Sequence, residues 1–114
     1  MTGKRARFIV WSKAKSPEDQ AEFDAWYDTH LDLICEPEGV LGASRWKVGE
    51  VQLPGQQVDP AYSVVIYDIE DPETTIPRMM AHRRESNPAA DPHSIKAVVV
   101  ERTASYVKGK GYDT

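Results

Sequence analysis

A chain of 114 residues is long enough for one hydrophobic core and too short for two, so residues 1–114 read as a single domain. Its 40% hydrophobic and 28% charged residues are those of a folded chain rather than a disordered one. A net charge of −4 excludes the broad basic field that nucleic acid or an anionic membrane surface requires.

The first element in the chain is "RFIVWS" (7–12), a short β-rich run behind the basic "KRAR" of a solvated terminus. "SPEDQ" then starts a helix, with Ser16 as N-cap, Pro17 at the first helical position, and Glu18 and Asp19 at the positive end of the dipole. This helix is expected to run from Pro17 to about Cys35, because Pro37 and Gly39 follow. "VLGASRWKVGEVQ" (40–52) reads as a strand ended by the loop "LPGQQVDP", and "AYSVVIYDI" (61–69) is the clearest strand. "DPETTIPRMMAHRRES" reads as a second helix whose regular part Pro77 confines to about Ile76–Ser86. After the loop "NPAADPH", "SIKAVVVERTASYV" (94–107) is a long last strand. Cys35 is the one cysteine, which excludes an internal disulfide and a cysteine-rich zinc site. No apolar run reaches the ~18 residues of a membrane span and no signal-peptide core is visible, so the expected setting is the cytoplasm.

The order β-α-β-β-α-β is that of a ferredoxin-like α+β domain, an antiparallel sheet with helices on one face. Both faces of the third strand are apolar, Tyr62, Val64 and Ile66 alternating with Val65, Tyr67 and Ile69; the last strand repeats the pattern with Ile95, Ala97 and Val99 against Val98 and Val100. The chain's own helices can cover only one face, so a homodimer is expected to cover the other.

On the first helix, Phe23, Trp26, Tyr27, His30, Leu33 and Ile34 share one face at ~100° per residue. His30 therefore interrupts an apolar stripe directed at the sheet. It is either a core imidazole donating to a backbone carbonyl or the acid–base group of a pocket. Arg45 and Trp46 are neighbours on a strand and must point to opposite faces. Arg45 suits a substrate carboxylate or phenolate, or a salt bridge to a helix carboxylate such as Asp28 or Asp32. Trp11, Trp26, Tyr27, Trp46 and Tyr67 are core residues or the walls of a site for a flat aromatic ligand. Arg78, Arg83 and Arg84 are the second helix's solvated face or a rim for an anionic substrate. No HxxxH, HxH or carboxylate pair at ligand spacing accompanies His30, His82 or His93, so neither a metal nor a cofactor is expected; haem held by one of the three is the alternative.

The stretch "EFDAWYDTHLDLICEPEGVLGASRW" (22–46), about a quarter of the chain, resembles the helix-to-strand signature of the dimeric α+β barrel superfamily, and within it the EthD-like branch. The matching positions are Phe23, Trp26, Tyr27 and His30, then Pro37 and Gly39, then Ala43, Arg45 and Trp46. The sequence departs from the pattern at Leu31-Asp32, where many relatives carry a second histidine or an isoleucine-proline pair, and at Glu38, which separates Pro37 from Gly39. The superfamily includes muconolactone isomerases, polyketide cyclases, quinol-forming monooxygenases, haem-degrading enzymes and dehydratases. The resemblance implies a homodimer with a pocket between sheet and helices in each subunit, faced by His30. The expected activity is that of a small cofactor-independent enzyme with His30 as catalytic acid/base. It would act on an aromatic, polyketide-like or enolisable carbonyl compound bound by Trp11, Trp26, Tyr27, Arg45, Trp46 and Tyr67. Cyclase, isomerase, dehydratase and decarboxylase chemistry all fit. The alternatives are a cofactor-free monooxygenase of a phenol and a non-catalytic dimeric ligand-binding or accessory protein.

Overall fold

Alternation of apolar side chains builds the sheet. In the computed structural model, which describes residues 4–82 and 86–113, β1 (Arg5–Ser12), β2 (Val40–Lys47), β3 (Ser63–Glu70) and β4 (Lys96–Glu101) form one antiparallel sheet in the order β2-β3-β1-β4. On one face Ala6, Phe8 and Val10 of β1 lie beside Ile69, Tyr67 and Val65 of β3, and Ala43 and Arg45 of β2 continue the rows. Helices α1 (Gln20–Asp28), α2 (Leu31–Ile34) and α3 (Pro72–Ala81) belong to this face, where Phe23, Tyr27, Ile34 and Met79 join Ala6, Val65, Tyr67, Ile69 and Ala89 in the core. The result is a mixed α+β fold compatible with the ferredoxin-like arrangement. Its thinnest dimension is 21 Å, one sheet and one helical layer.

Nothing among the described residues covers the other face. There Ile9 and Trp11 lie beside Ile66 and Val64, flanked by Trp46 of β2 and by Val98 and Val100 of β4. The chain exposes 8332 Å² of surface, against ~6,300 Å² for a folded monomer of its mass. The bare sheet face and the exposed loop 49–61, with Val51 and Leu53, account for part of the excess.

Four expected boundaries are corrected. The helix from Pro17 to Cys35 is a 3-10 turn (Pro17–Asp19), α1 and α2, broken at Thr29–His30. In a continuous helix the His30 N–H would bond to the Trp26 carbonyl. Instead that oxygen takes the Thr29 N–H, the Thr29 hydroxyl and His30 Nδ1, while His30 N–H moves to Tyr27 O. Side chains have outcompeted the backbone for one acceptor. At the start of this segment, the Ser16 hydroxyl donates to the Asp19 carboxylate (2.8 Å) rather than accepting from a backbone N–H.

The second helix begins at Pro72, not Ile76, and ends at Ala81. Pro72 occupies a first-turn position where a missing N–H costs nothing, and Pro77 is accommodated on an exposed side of the helix. Arg83 and Arg84, expected on its solvated face, lie outside the described residues. The last strand stops at Glu101, and a separate hairpin follows, β5 (Ser105–Val107) and β6 (Gly111–Asp113), with Tyr106 and Tyr112 in contact across it. Gly109 and Gly111, at φ +86° and +85°, make the turn that a straight strand would not need. β2 likewise ends at Lys47, and residues 48–52 belong to the following loop.

Candidate functional site

Between the helix-side face of the sheet and the helical layer lies a cleft of about 520 Å³. Its floor is Phe8, Val10 and Ser12 of β1, Tyr67 of β3 and Ala97 of β4; Trp26 and Tyr27 of α1 and Ile34 of α2 form one wall. Met80, His82, Ser86 and Asn87 form another, with Ala90, Pro92 and Ile95 at the edge. Its volume lies within the range of small-molecule pockets, and its lining combines aromatic and aliphatic side chains with the polar groups of Ser12, His82, Ser86 and Asn87.

The elements that carry the cleft are tied down. The Ser12 and Tyr27 hydroxyls lie 3.3 Å apart at its floor. Asn87 Nδ2 donates to Phe23 O (3.1 Å), Lys15 N to Ala89 O and Asp91 N to Lys13 O (both 2.9 Å), which pins the loop 87–91 to α1 and to the chain beyond β1. Tyr27 packs edge-on against Phe23 and Trp26, and Phe8 stacks on Tyr67 at 5.8 Å. Trp26 Nε1 is buried and has no hydrogen-bond partner among the described residues. A donor in that state costs about 1–3 kcal/mol until it finds an acceptor.

Of the residues singled out in the sequence, the cleft brings together Trp26, Tyr27 and Tyr67. His30 stands next to it. Half-buried, the ring stacks on the Trp26 indole at 4.1 Å and 8°. Nδ1 is 2.7 Å from Trp26 O and 2.9 Å from Thr29 Oγ1. A carbonyl only accepts, so Nδ1 carries the proton and donates.

Arg45 is on the helix side of the sheet but serves as a strut. It pairs with Asp24 rather than Asp28 or Asp32, donates to Ser63 Oγ (3.0 Å), and lies over the Tyr27 and Phe23 rings at 4.7 and 5.4 Å. Trp46 and Trp11 point to the bare face of the sheet, as the alternation with Arg45 requires for Trp46. Trp46 is 57% exposed, with Nε1 donating to Ser44 Oγ.

Residues that the sequence did not mark for this site are Phe8, Met80, His82, Asn87 and Ile95. The position of His82 two residues beyond Met80, at the point where α3 turns into extended chain, was the available signal. His82 is the C-cap of α3, and its Nε2 lies 3.1 Å from Leu33 O and 3.7 Å from Glu36 Oε1. His93 is exposed in the 3-10 turn Pro92–Ser94 and is not among the residues that line the cleft. Among the described residues no group of three or more His, Cys, Asp or Glu side chains is placed to hold a metal ion, and no helix is long and apolar enough to cross a membrane.

Cys35 is half-buried at the end of α2, where the thiolate form is disfavoured at neutral pH. Burial, and then the neighbouring Asp32 carboxylate, push its thiol above the ordinary value of 9.0. In the unfolded chain the thiol ionises at that ordinary value, whereas the folded chain still holds the proton. Its contribution to stability therefore falls as pH rises through 9.0. Alkylation by iodoacetamide is expected to be slower than for an unstructured cysteine peptide throughout the neutral range and to keep rising with pH beyond 9.0, where the peptide's rate levels off. A peptide-like rate at neutral pH would contradict this placement of the thiol.

Compared with known proteins, the chain matches no family model and no curated protein at a significant level.

Proposed function

We propose that the cleft binds a flat aromatic or enolisable carbonyl compound and that the protein catalyses a proton transfer on it, as a small enzyme of cyclase, isomerase, dehydratase or decarboxylase type that needs no cofactor. The observation that carries this reading is the cleft itself, a hollow of about 520 Å³ with Phe8, Trp26, Tyr27 and Tyr67 on its surface. Flat rings are held there by stacking and by area removed from water. An imidazole is present on its wall, His82, and a second, His30, is stacked on Trp26. Chemistry next to a carbonyl needs a positioned base and a donor for the developing oxyanion. Three residues that line the space carry donor groups, the hydroxyls of Tyr27 and Tyr67 and the Trp26 N–H.

The same reading includes a dimeric α+β barrel of the EthD-like kind, in which a second copy covers the bare sheet face. What supports it is the unshielded apolar row Ile9, Trp11, Val64, Ile66 and Val98, the surface excess, and the resemblance of residues 22–46.

Solvent-deuterium incorporation across a panel of aryl ketones tests the catalytic reading, together with NMR shifts of the Trp26, Tyr27 and Tyr67 rings on titration. Expected are saturable shifts of these rings and exchange at the carbon next to the carbonyl accelerated by about 100-fold or more over buffer. Both are lost in Trp26→Ala. Saturable shifts without exchange would leave the second reading, a non-catalytic ligand-binding or accessory protein. The contact between His30 Nδ1 and the Trp26 carbonyl favours that second reading, because it makes His30 part of the backbone's own hydrogen bonding. No shift of the three rings with any compound would overturn both.

A further inference from the structure

At the floor of the cleft two hydroxyls meet that carry more hydrogens than the protein uses. Ser12 Oγ, on the last residue of β1, and Tyr27 Oη, on α1, lie 3.3 Å apart, and both residues line the space. They are buried, with 3% and 8% of their surface exposed. Each hydroxyl brings one hydrogen, and the contact between them uses one. Among the described residues neither hydroxyl has a second partner, so one O–H hydrogen is left without an acceptor. Even the shared contact, at 3.3 Å, is longer than the ~2.5–3.0 Å of an ordinary O–H···O bond. A buried donor without an acceptor is disfavoured, whereas an unfilled oxygen lone pair is tolerated more readily. The group that completes the pair is therefore an acceptor. The Tyr27 donor is also held still. Its ring has Phe23 and Trp26 edge-on at 5.3 and 5.1 Å, and the Arg45 guanidinium lies 4.7 Å over its face. Asp24 and Ser63 Oγ hold Arg45 in turn, and Ser63 is the β3 partner of Ser12 across the sheet. Donors fixed in advance bind an oxygen without the cost of being gathered.

We infer that the Ser12 and Tyr27 hydroxyls are the carbonyl anchor of the cleft, donating together to one oxygen of an aromatic ketone or aldehyde. The inference rests on the cleft being the site of such a compound, as proposed above, and it narrows that class. The ligand presents an acceptor oxygen at the floor while its ring meets the aromatic wall. Two hydroxyl oxygens 3.3 Å apart are close enough for both to reach one acceptor at ordinary hydrogen-bond length. Phe8 and Val10 continue the floor along β1 with apolar surface, which holds a ring but offers no acceptor of its own from a side chain. An aromatic compound that lacks the oxygen would leave the hydrogen unmatched, and a site built to hydrogen-bond one group discriminates against the analogue without it. Ser12 and Tyr27 are in this sense the residues that determine specificity.

Acetophenone and ethylbenzene, which differ in little but the carbonyl oxygen, test this without knowledge of the natural substrate. The readout is the preference for one over the other, compared between the wild type and the variants Ser12→Ala and Tyr27→Phe, so that the different hydration of the two compounds cancels. Each variant is expected to weaken acetophenone binding by about fivefold to tenfold and to leave ethylbenzene within about twofold of the wild type. The infrared band of the bound, isotope-labelled carbonyl is expected at or below its position in water, where solvent hydrogens reach the oxygen, and to rise in either variant. Equal weakening of both compounds would make the pair a structural pin, and an unchanged preference would make it idle. Either result overturns the inference and leaves the cleft's function standing. A wild type that binds neither compound saturably overturns the cleft reading and this inference with it; one that binds ethylbenzene alone overturns the inference only. Should a variant not fold, the wild-type band decides: at its position in water the inference stands, and at its position in hexane no hydroxyl reaches the oxygen and the inference falls.

Discussion

Replacing Gly39 with alanine is expected to destabilise the domain by about 2–5 kcal/mol, the combined effect of a left-handed backbone and a collision in a packed core. Gly39 has φ +99°, where a side chain is strained, and a Cβ there would overlap Thr75 Oγ1 and come within 3.0 Å of its Cγ2. Thr75 has no room to retreat. It is fully buried, and its hydroxyl donates to Glu70 O. Gly39 O in turn accepts from Glu70 N at 2.9 Å, and Arg78 Nη1 donates to Glu38 O at 3.3 Å, so the turn before β2 and the junction between β3 and α3 are one rigid joint. Urea or thermal unfolding followed by circular dichroism measures the effect, expected as a fall in Tm of roughly 10–20 °C. Gly55→Ala is the control. Gly55 also has positive φ (+82°), but nothing lies within 4 Å of its would-be Cβ, so only the backbone cost of roughly 1–3 kcal/mol applies. In the double variant Gly39→Ala, Thr75→Ala, the two losses are expected to sum to less than their separate values, because the overlap is removed once. A Gly39→Ala protein within 1 kcal/mol of wild type would mean that the joint is soft and that the close approach to Thr75 is not required.

Much of this architecture is legible in the sequence because strand alternation is a local property. The period of two in "SVVIYDIE" places Val65, Tyr67 and Ile69 on one face and Val64 and Ile66 on the other, and the same period in "VLGASRWK" separates Arg45 from Trp46. The features that escaped depend on competition or on tertiary closure. The helix break at Thr29–His30 arises because three donors meet at the Trp26 carbonyl, and a hydrophobic stripe carries no record of that. The same break explains why Leu33, on the expected apolar stripe, is 42% exposed: α2 starts a new register. The cleft needs the segment 86–95 as its edge, a stretch of Pro, Asn, Asp and Ala with no periodicity to read. The valine run of β4 pointed onward through Ser105–Val107, and the glycines that turn the chain back lay just beyond it. His82 was visible as a histidine, but its place on the cleft wall follows from where α3 stops, which the proline inside the helix obscured.

Ile66→Lys is expected to convert the proposed dimer into folded monomers. Ile66 lies opposite Ile9 on one side and Ser44 on the other, in the middle of the bare face, with the Arg7–Asp68 ion pair (3.0 Å) towards one end. An apolar centre with a polar margin is the pattern of an interface. The chain's radius of gyration is 15.9 Å, against ~13 Å for a compact domain of this length. In a monomer the lysine stem lies along the apolar sheet and its ammonium reaches water, at little cost to folding. In the dimer the ammonium is trapped without a partner at a cost of several kcal/mol per subunit. A loss of about 3 kcal/mol already weakens association by about 100-fold. Light scattering at micromolar concentration is therefore expected to give twice the 12.8 kDa chain mass for the wild type and a single chain mass for Ile66→Lys, with unchanged far-ultraviolet circular dichroism. Leu53→Lys, in the exposed loop between β2 and β3, is expected to remain dimeric, since Leu53 is already 74% exposed and lies off the face. A wild type that stays monomeric would leave the row of Ile9, Trp11, Val64 and Ile66 facing water and remove the dimeric barrel from the proposal. A dimer that survives Ile66→Lys would place the interface elsewhere, with the aromatic hairpin of Tyr106 and Tyr112 as the next apolar surface to substitute.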